Sequence, residues 1–274
     1  MKVRTSVLTI LGLAFASGAM AETVNCTAIT TVPYAIYTPG TYCLTKDFST
    51  SMTGTVAAID IVAKDVVLDL NGHTLSNSAG SGLGVSASAS NITIRNGTVR
   101  GFAGGVRLWA DQTAPGNVIE QLLIVGSTSY GISATGDGTT IRNNRVLKTT
   151  NTPDIAWATG IHSEGPNARI LNNDVMDVAS PAGFLAWGIS VAAANGTVIA
   201  GNRISKLTVS AGSTDSTGIR VATGANITIR DNNIADARNG IQILSGATAK
   251  YMGNMTQGVT TPYTGGTAAG TTNY

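Results

Sequence analysis

The chain has 274 residues, 43% of them hydrophobic and only 12% charged, with 33 glycines and a formal net charge of +2. So near-neutral a chain carries no basic stripe for nucleic acid, no polybasic membrane patch and no acidic tail. The length fits one or two domains, and no Pro- or Ser-rich linker divides it, so a single domain is expected.

In chain order, Lys2 and Arg4 precede a largely apolar run from Ser6 to Phe15, and Ala19-Met20-Ala21 forms a small-residue cleavage site before Glu22. This pattern predicts a secretory signal peptide over residues 1–21, cut after Ala21. Its removal lowers the 17 basic residues to 15, equal to the 15 acidic ones. No later apolar run is long enough to cross a bilayer, so no membrane insertion is expected after cleavage. The mature protein is expected in the periplasm or outside the cell, as a monomer. There Cys26 and Cys43 can pair and close a loop inside an N-terminal cap of residues 22–60. In LDLNGHTL, Asn71-Gly72 reads as a tight turn and His73 as the residue that begins the next strand.

From residue 61 to 254 a repeat takes over. Gly followed by Ile or Val recurs at Gly84, Gly105, Gly131, Gly160, Gly188, Gly218 and Gly240, at intervals of 21 to 30 residues. After each comes a second apolar pair, such as Ile141 and Val146, Ile170 and Val175, or Ile199 and Ile204. An asparagine sits inside most of these pairs: Asn144, Asn173, Asn202, Asn232, with Asn254 in the last unit. The apolar residues alternate with polar ones, which is strand period. Short strands separated by Gly/Asn turns cannot bury a core alone, but stacked they enclose one. The recurring asparagine suits a turn, because it tolerates left-handed backbone, and stacked asparagines can bond to one another up the column. The expectation is an all-β solenoid of seven to eight coils, closed by a cap or tail over residues 255–274.

The segments VVLDLNGHTL, ITIRNGTV and the GI…NN coils resemble secreted bacterial right-handed parallel β-helix repeat proteins of the pectate-lyase-like superfold. CTAITTVPYAIYTPGTYCL and PYTGG are similar to the ends of this group. The resemblance implies a single right-handed parallel β-helix over nearly all of residues 24–266. It implies no particular reaction, since the superfold hosts lyases, hydrolases, epimerases, esterases and binding proteins. The Asp-Pro-His-Asp motif of alginate epimerases and the Arg-Ile-Lys motif of polygalacturonases are missing, as is the calcium-site aspartate pattern of pectate lyases. No catalytic residue is carried over.

Candidate chemistry is therefore read from position. The residue after each repeat Gly points inward, and alternation sends its neighbours outward. The outward pairs run Ser86/Ser88, Arg107/Trp109, Ser133/Thr135, His162/Glu164, Ser190/Ala192, Arg220/Ala222 and Gln242/Leu244, about 4.8 Å apart from coil to coil. Arg107 and Arg220 fall two coils to either side of His162. Three successive coils also carry enlarged loops at one turn, residues 147–159, 176–187 and 205–217, where other coils use five or six residues. These loops hold Asp154, Trp157, Phe184, Trp187 and Asp215, and stacked they would form a wall beside His162. Aromatic residues there could stack on sugar rings or simply pack the loops onto the helix.

His162, Glu164 and Arg220 are the candidate catalytic residues. Arg107, Trp109, Asp154, Trp157, Trp187 and Asp215 are the candidate substrate-binding ones. A histidine can abstract a sugar-ring proton while arginine neutralises a uronate carboxylate, which gives β-elimination. Hydrolysis would need two carboxyls, with Glu164 and Asp154 or Asp215 the only candidate set. An ordinary solvated polar face remains the alternative reading of His162 and Glu164. Two separated histidines do not build a zinc site. Calcium bound by Asp154 and Asp215 is left open, and no other cofactor is expected. The leading function is binding or processing of an extracellular or periplasmic polysaccharide, by lyase or hydrolase chemistry if catalytic. The alternative is a non-catalytic structural or adhesive solenoid.

Overall fold

The computed structural model of the protein describes residues 23–110, 115–181, 185–213, 215–270 and Asn273. The expected signal peptide and Phe184 lie outside the described residues. Every strand pairing among the described residues is parallel, and each strand inside the stack bonds to the strand one coil before and one coil after it. Three ladders run the length of the molecule, and no helix occurs among the described residues.

Alternation explains the core. In the first ladder Val85, Val106, Ile132, Ile161, Ile189, Ile219 and Ile241 stack in register. Ile94, Ile119, Ile141, Ile170, Ile199 and Ile229 stack in the second. Val99, Ile124, Val146, Val175, Ile204 and Ile234 stack in the third. All are almost wholly buried, so each coil supplies three apolar anchors to one continuous interior.

The solenoid has about nine turns, more than the seven to eight expected. The residues expected to cap the start carry rungs themselves. Thr27–Ile29 pairs with Gly40–Leu44, and Tyr34–Ile36 pairs with Ala57–Ile61. These coils lack the Gly-Ile signature that marks the others, so periodicity alone passes over them. Residues 255–268 likewise continue the stack, through Met255–Thr264 and Thr267–Ala268.

Two repeat residues play different parts from those expected. The repeat glycine is not a turn residue. Gly160 lies inside the strand Trp157–Glu164 and does not have a left-handed φ. A methyl group there would run into Val175 Cγ1 and come within 2.7 Å of the Gly188 carbonyl oxygen. The same clash with the third-ladder Val or Ile recurs at Gly84, Gly105, Gly131, Gly188 and Gly218. The glycine is thus required by close approach across the core. Left-handed backbone falls one residue before the ladder asparagines, at Asn143, Asn172, Gly201, Asp231 and Gly253, with φ of 56°, 55°, 67°, 57° and 62°. The asparagines themselves form the expected column. Asn144, Asn173, Asn202 and Asn232 each donate from Nδ2 to the Oδ1 of the next, at 2.9 to 3.0 Å.

The enlarged segments are mostly strand, not loop. Trp157, Leu185 and Asp215 are in register, as are Thr159, Trp187 and Thr217. Returning strands pair Val178 with Leu207 and Ser180 with Val209. Ala158, Ala186, Val178 and Leu207 are buried between the outgoing and returning strands. Two sheets of the solenoid are therefore lengthened over three coils into a wall with its own small core.

Candidate functional site

The first ladder places Arg107, Ser133, His162, Ser190, Arg220 and Gln242 on successive rungs of one outward row. Thr159, on the wall, and His162, on the solenoid face, lie on one strand to either side of Gly160 and face one corner. The corner holds a cavity of about 320 Å³ lined by Ser129, Tyr130, Ser133, Trp157, Thr159, His162 and Trp187.

Burial holds the His162 imidazole below its ordinary 6.5, and Arg220 pushes the same way. The Glu164 carboxylate and a hydrogen bond with the Ser190 backbone oppose the shift without cancelling it. The ring is therefore neutral at pH 7, with a basic nitrogen available. Burial likewise raises Tyr130 above the ordinary phenol value, with Arg107 pulling back, so its hydroxyl keeps its proton. Arg220 stacks on Trp187, its guanidinium carbon 4.5 Å from the ring centroid. The Trp187 Nε1 is buried without a hydrogen-bond partner, as is the Ser190 Oγ. Trp157 is 46% exposed, so its ring face is open to a ligand.

Of the residues singled out from sequence, His162, Trp157 and Trp187 come together, with Arg220 held against Trp187. Arg107 stacks on Trp109 at 4.1 Å, two rungs from His162. Asp215 stands on the wall in register with Leu185 and accepts a 2.6 Å hydrogen bond from Thr217 Oγ1. Glu164 follows in the next outward row and Asp154 sits in an exposed turn; neither lines the cavity. No three His, Cys, Asp or Glu side chains gather into a metal-binding group among the described residues. No step is routed through a metal. His73 lies far along the stack and pairs with Asp47 at 3.2 Å. Cys26 and Cys43 form the expected disulfide.

Ser129, Tyr130 and Thr159 are the site residues that sequence reasoning missed. A signal was present for Tyr130. The coil at Gly104-Gly105 has a second glycine where the repeat needs one, and Tyr130 occupies the register position next to Gly104.

Residues 104–268 match the family described as right handed beta helix region. The chain belongs to this family. Among solved structures it is similar to the Dettilon tailspike protein, with 17% identity and a TM-score of 0.58 over 83% of this chain. It spans only 46% of that tailspike's length. It is also similar to an alginate lyase from Paenibacillus sp. str. FPU-7, with 14% identity and a TM-score of 0.55 over 85% of this chain and 91% of that one. No curated protein matches the sequence. At such identities the likeness is one of fold.

Within this right-handed β-helix, the corner groove combines aromatic faces, one unpaired buried indole N–H, a neutral imidazole and a protonated phenol. Arg220 borders the groove through Trp187, and Arg107 stands two rungs, about 10 Å, from His162. Such a set can hold a sugar ring, neutralise an acid group on it and move one proton.

Proposed function

We propose that the corner groove binds a polysaccharide chain that carries uronic acid, and that His162 is the base of a β-elimination. The reading rests on one observation above all: a neutral, half-buried histidine faces a cavity whose lining contains aromatic rings but no carboxylate. Hydrolysis by a carboxyl pair loses its support, because Glu164, Asp154 and Asp215 stand outside that lining. In the elimination the His162 ring takes the proton from the sugar carbon next to the carboxylate. Its electron pair becomes the new carbon–carbon double bond, and the bond to the glycosidic oxygen breaks. The Tyr130 hydroxyl supplies the proton that the departing oxygen needs. Arg220, held against Trp187, carries the carboxylate charge that builds up on the enolate. The naming of one solved neighbour as an alginate lyase is in keeping with this reading.

Ultraviolet absorbance of the unsaturated product tests it, with a panel of uronic-acid polymers as substrates. Turnover should fall by about 10²–10⁴ in His162→Ala. Binding without any turnover would remove the base role. Absence of both would leave the alternative, a non-catalytic solenoid. Export is part of the proposal and is supported by the disulfide, which persists in oxidising compartments. Mass measurement of protein recovered outside the cytoplasm should show a chain that begins at Glu22, and size-exclusion chromatography should show a monomer.

A further inference from the structure

A second hollow, of about 540 Å³, lies toward the N-terminal end of the same face and is lined by Tyr34, Val56, Asp60, Ser86 and Arg107 among others. Its position is set by the same two rows that bound the corner groove. One row runs Ala57, Leu83, Gly104, Tyr130, Thr159, Trp187. The other runs Asp60, Ser86, Arg107, Ser133, His162. The two hollows therefore lie in line along the solenoid axis, and Tyr130, which lines the corner groove, is on the rung between Gly104 and Thr159. Its ring leans back over Gly104, where a methyl group would meet the Tyr130 hydroxyl at 2.6 Å. The missing side chain at Gly104 is what makes room for it.

The second hollow is chemically equipped. Among the described residues no carboxylate pairs with Arg107, whose guanidinium stacks on Trp109. Arg95, Arg142 and Arg145, on other rows, are each held by a carboxylate. Asp60 offers an acceptor for hydroxyls two rungs from Arg107. Trp109, two residues beyond Arg107 on the same strand, is 63% exposed.

We infer that this hollow is a second sugar-binding subsite, which takes an acidic sugar of the same chain that occupies the corner groove. The inference rests on the groove's being a uronan site and adds where the rest of the chain lies. From Asp60 to His162 is four rungs, about 19 Å, enough for roughly four sugar rings. The chain runs along the axis, with Arg107 on a carboxylate.

Titration calorimetry with oligouronides of galacturonate, mannuronate and guluronate, from disaccharide to hexasaccharide, tests the inference. Affinity should rise with length in the unmodified protein. Arg107→Ala and Asp60→Asn should each weaken the hexasaccharide by about tenfold or more and leave the disaccharide unchanged. Trp187→Ala should weaken both. Arg142→Ala, on a surface ion pair elsewhere, controls for loss of charge, and far-ultraviolet melts control for folding. Equal losses for short and long ligands in Arg107→Ala, or no gain with length, would overturn the second subsite while leaving the corner groove intact. Failure of every oligouronide to bind would overturn both.

Discussion

Asn202 joins two neighbouring coils. Its Oδ1 accepts from the backbone N–H and the Nδ2 of Asn173, and its own Nδ2 donates to the Ile170 carbonyl and to Asn232 Oδ1. All of these groups are buried, and each one left unsatisfied costs about 1–3 kcal/mol. Asn202→Leu should therefore lower stability by at least about 3 kcal/mol in urea melts. Asn144→Leu should cost less, because on its far side the ladder ends at Leu122, whose backbone N–H alone bonds to Asn144 Oδ1. Equal losses at both positions would contradict the ladder as a source of stability. At His162 the sign of the pH effect is fixed by the depressed pKa. The unfolded chain takes up a proton near 6.5, and the folded one does so only at lower pH. The contribution is full above about 6.5 and is lost as pH falls through the folded value. An NMR titration should place the His162 midpoint below 6.5, with His73→Gln used for assignment, and His162→Gln should flatten stability over the same window. The asparagine column was legible in sequence because its spacing is regular. The left-handed residue before it was not, since Asn143, Asn172, Gly201 and Asp231 share a backbone shape and no single residue type.

At the scale of elements, one strand position decides how closely the sheets approach. Gly160→Ala should destabilise by about 1–3 kcal/mol through overpacking, since the added methyl meets Val175. Val175→Ala in the same chain should return part of that loss, and the double-mutant cycle should show a favourable coupling. The remaining contact with the Gly188 carbonyl keeps the rescue incomplete. Gly138→Ala makes the contrast. Nothing lies within 4 Å, but its φ of +62° costs a side-chain-bearing residue about 1 kcal/mol. A larger loss at Gly138 than at Gly160 would refute close approach as the reason for the repeat glycine. Sequence could mark this glycine but not the side it faces, because the clash is with Val175, a residue of another ladder. The wall shows a similar limit. Its three coils stood out by length, yet Val178 and Leu207 alternate over too few residues to announce strands. Only their register against each other, and the burial of Ala158 and Ala186 beside them, turns these segments into sheet. The aromatic groove follows from that, since Trp187 is set by pairing with Thr159 and not by its own loop.

At the scale of the whole molecule the solenoid is a one-dimensional stack, in which each rung touches only its neighbours. Stability should then be local, and the disulfide offers a direct test. Cys43 pairs in register with Ala28, beside Cys26, so the bond ties the first rung of the second ladder to the next across a sequence separation of 17. Closing a loop of that size contributes about 3 kcal/mol by chain entropy. In a globular core such a loss would spread through every element. In a stack it should fall on the rungs that the bond joins, because the later coils keep their own Ile and Val anchors and their own asparagine column. Cys26→Ser/Cys43→Ser should therefore speed deuterium uptake in Thr27–Ile29 and Gly40–Leu44, read by mass spectrometry, and leave Arg203–Val209 and Ile227–Arg230 unchanged. A uniform rise along the chain would mean that the coils unfold as one unit. The corner groove lies between these ends, four rungs beyond Asp60 on the stretch where the wall doubles the packing. Opening the N-terminal rungs should accordingly weaken long ligands, which reach toward Asp60, before it affects short ones held at His162.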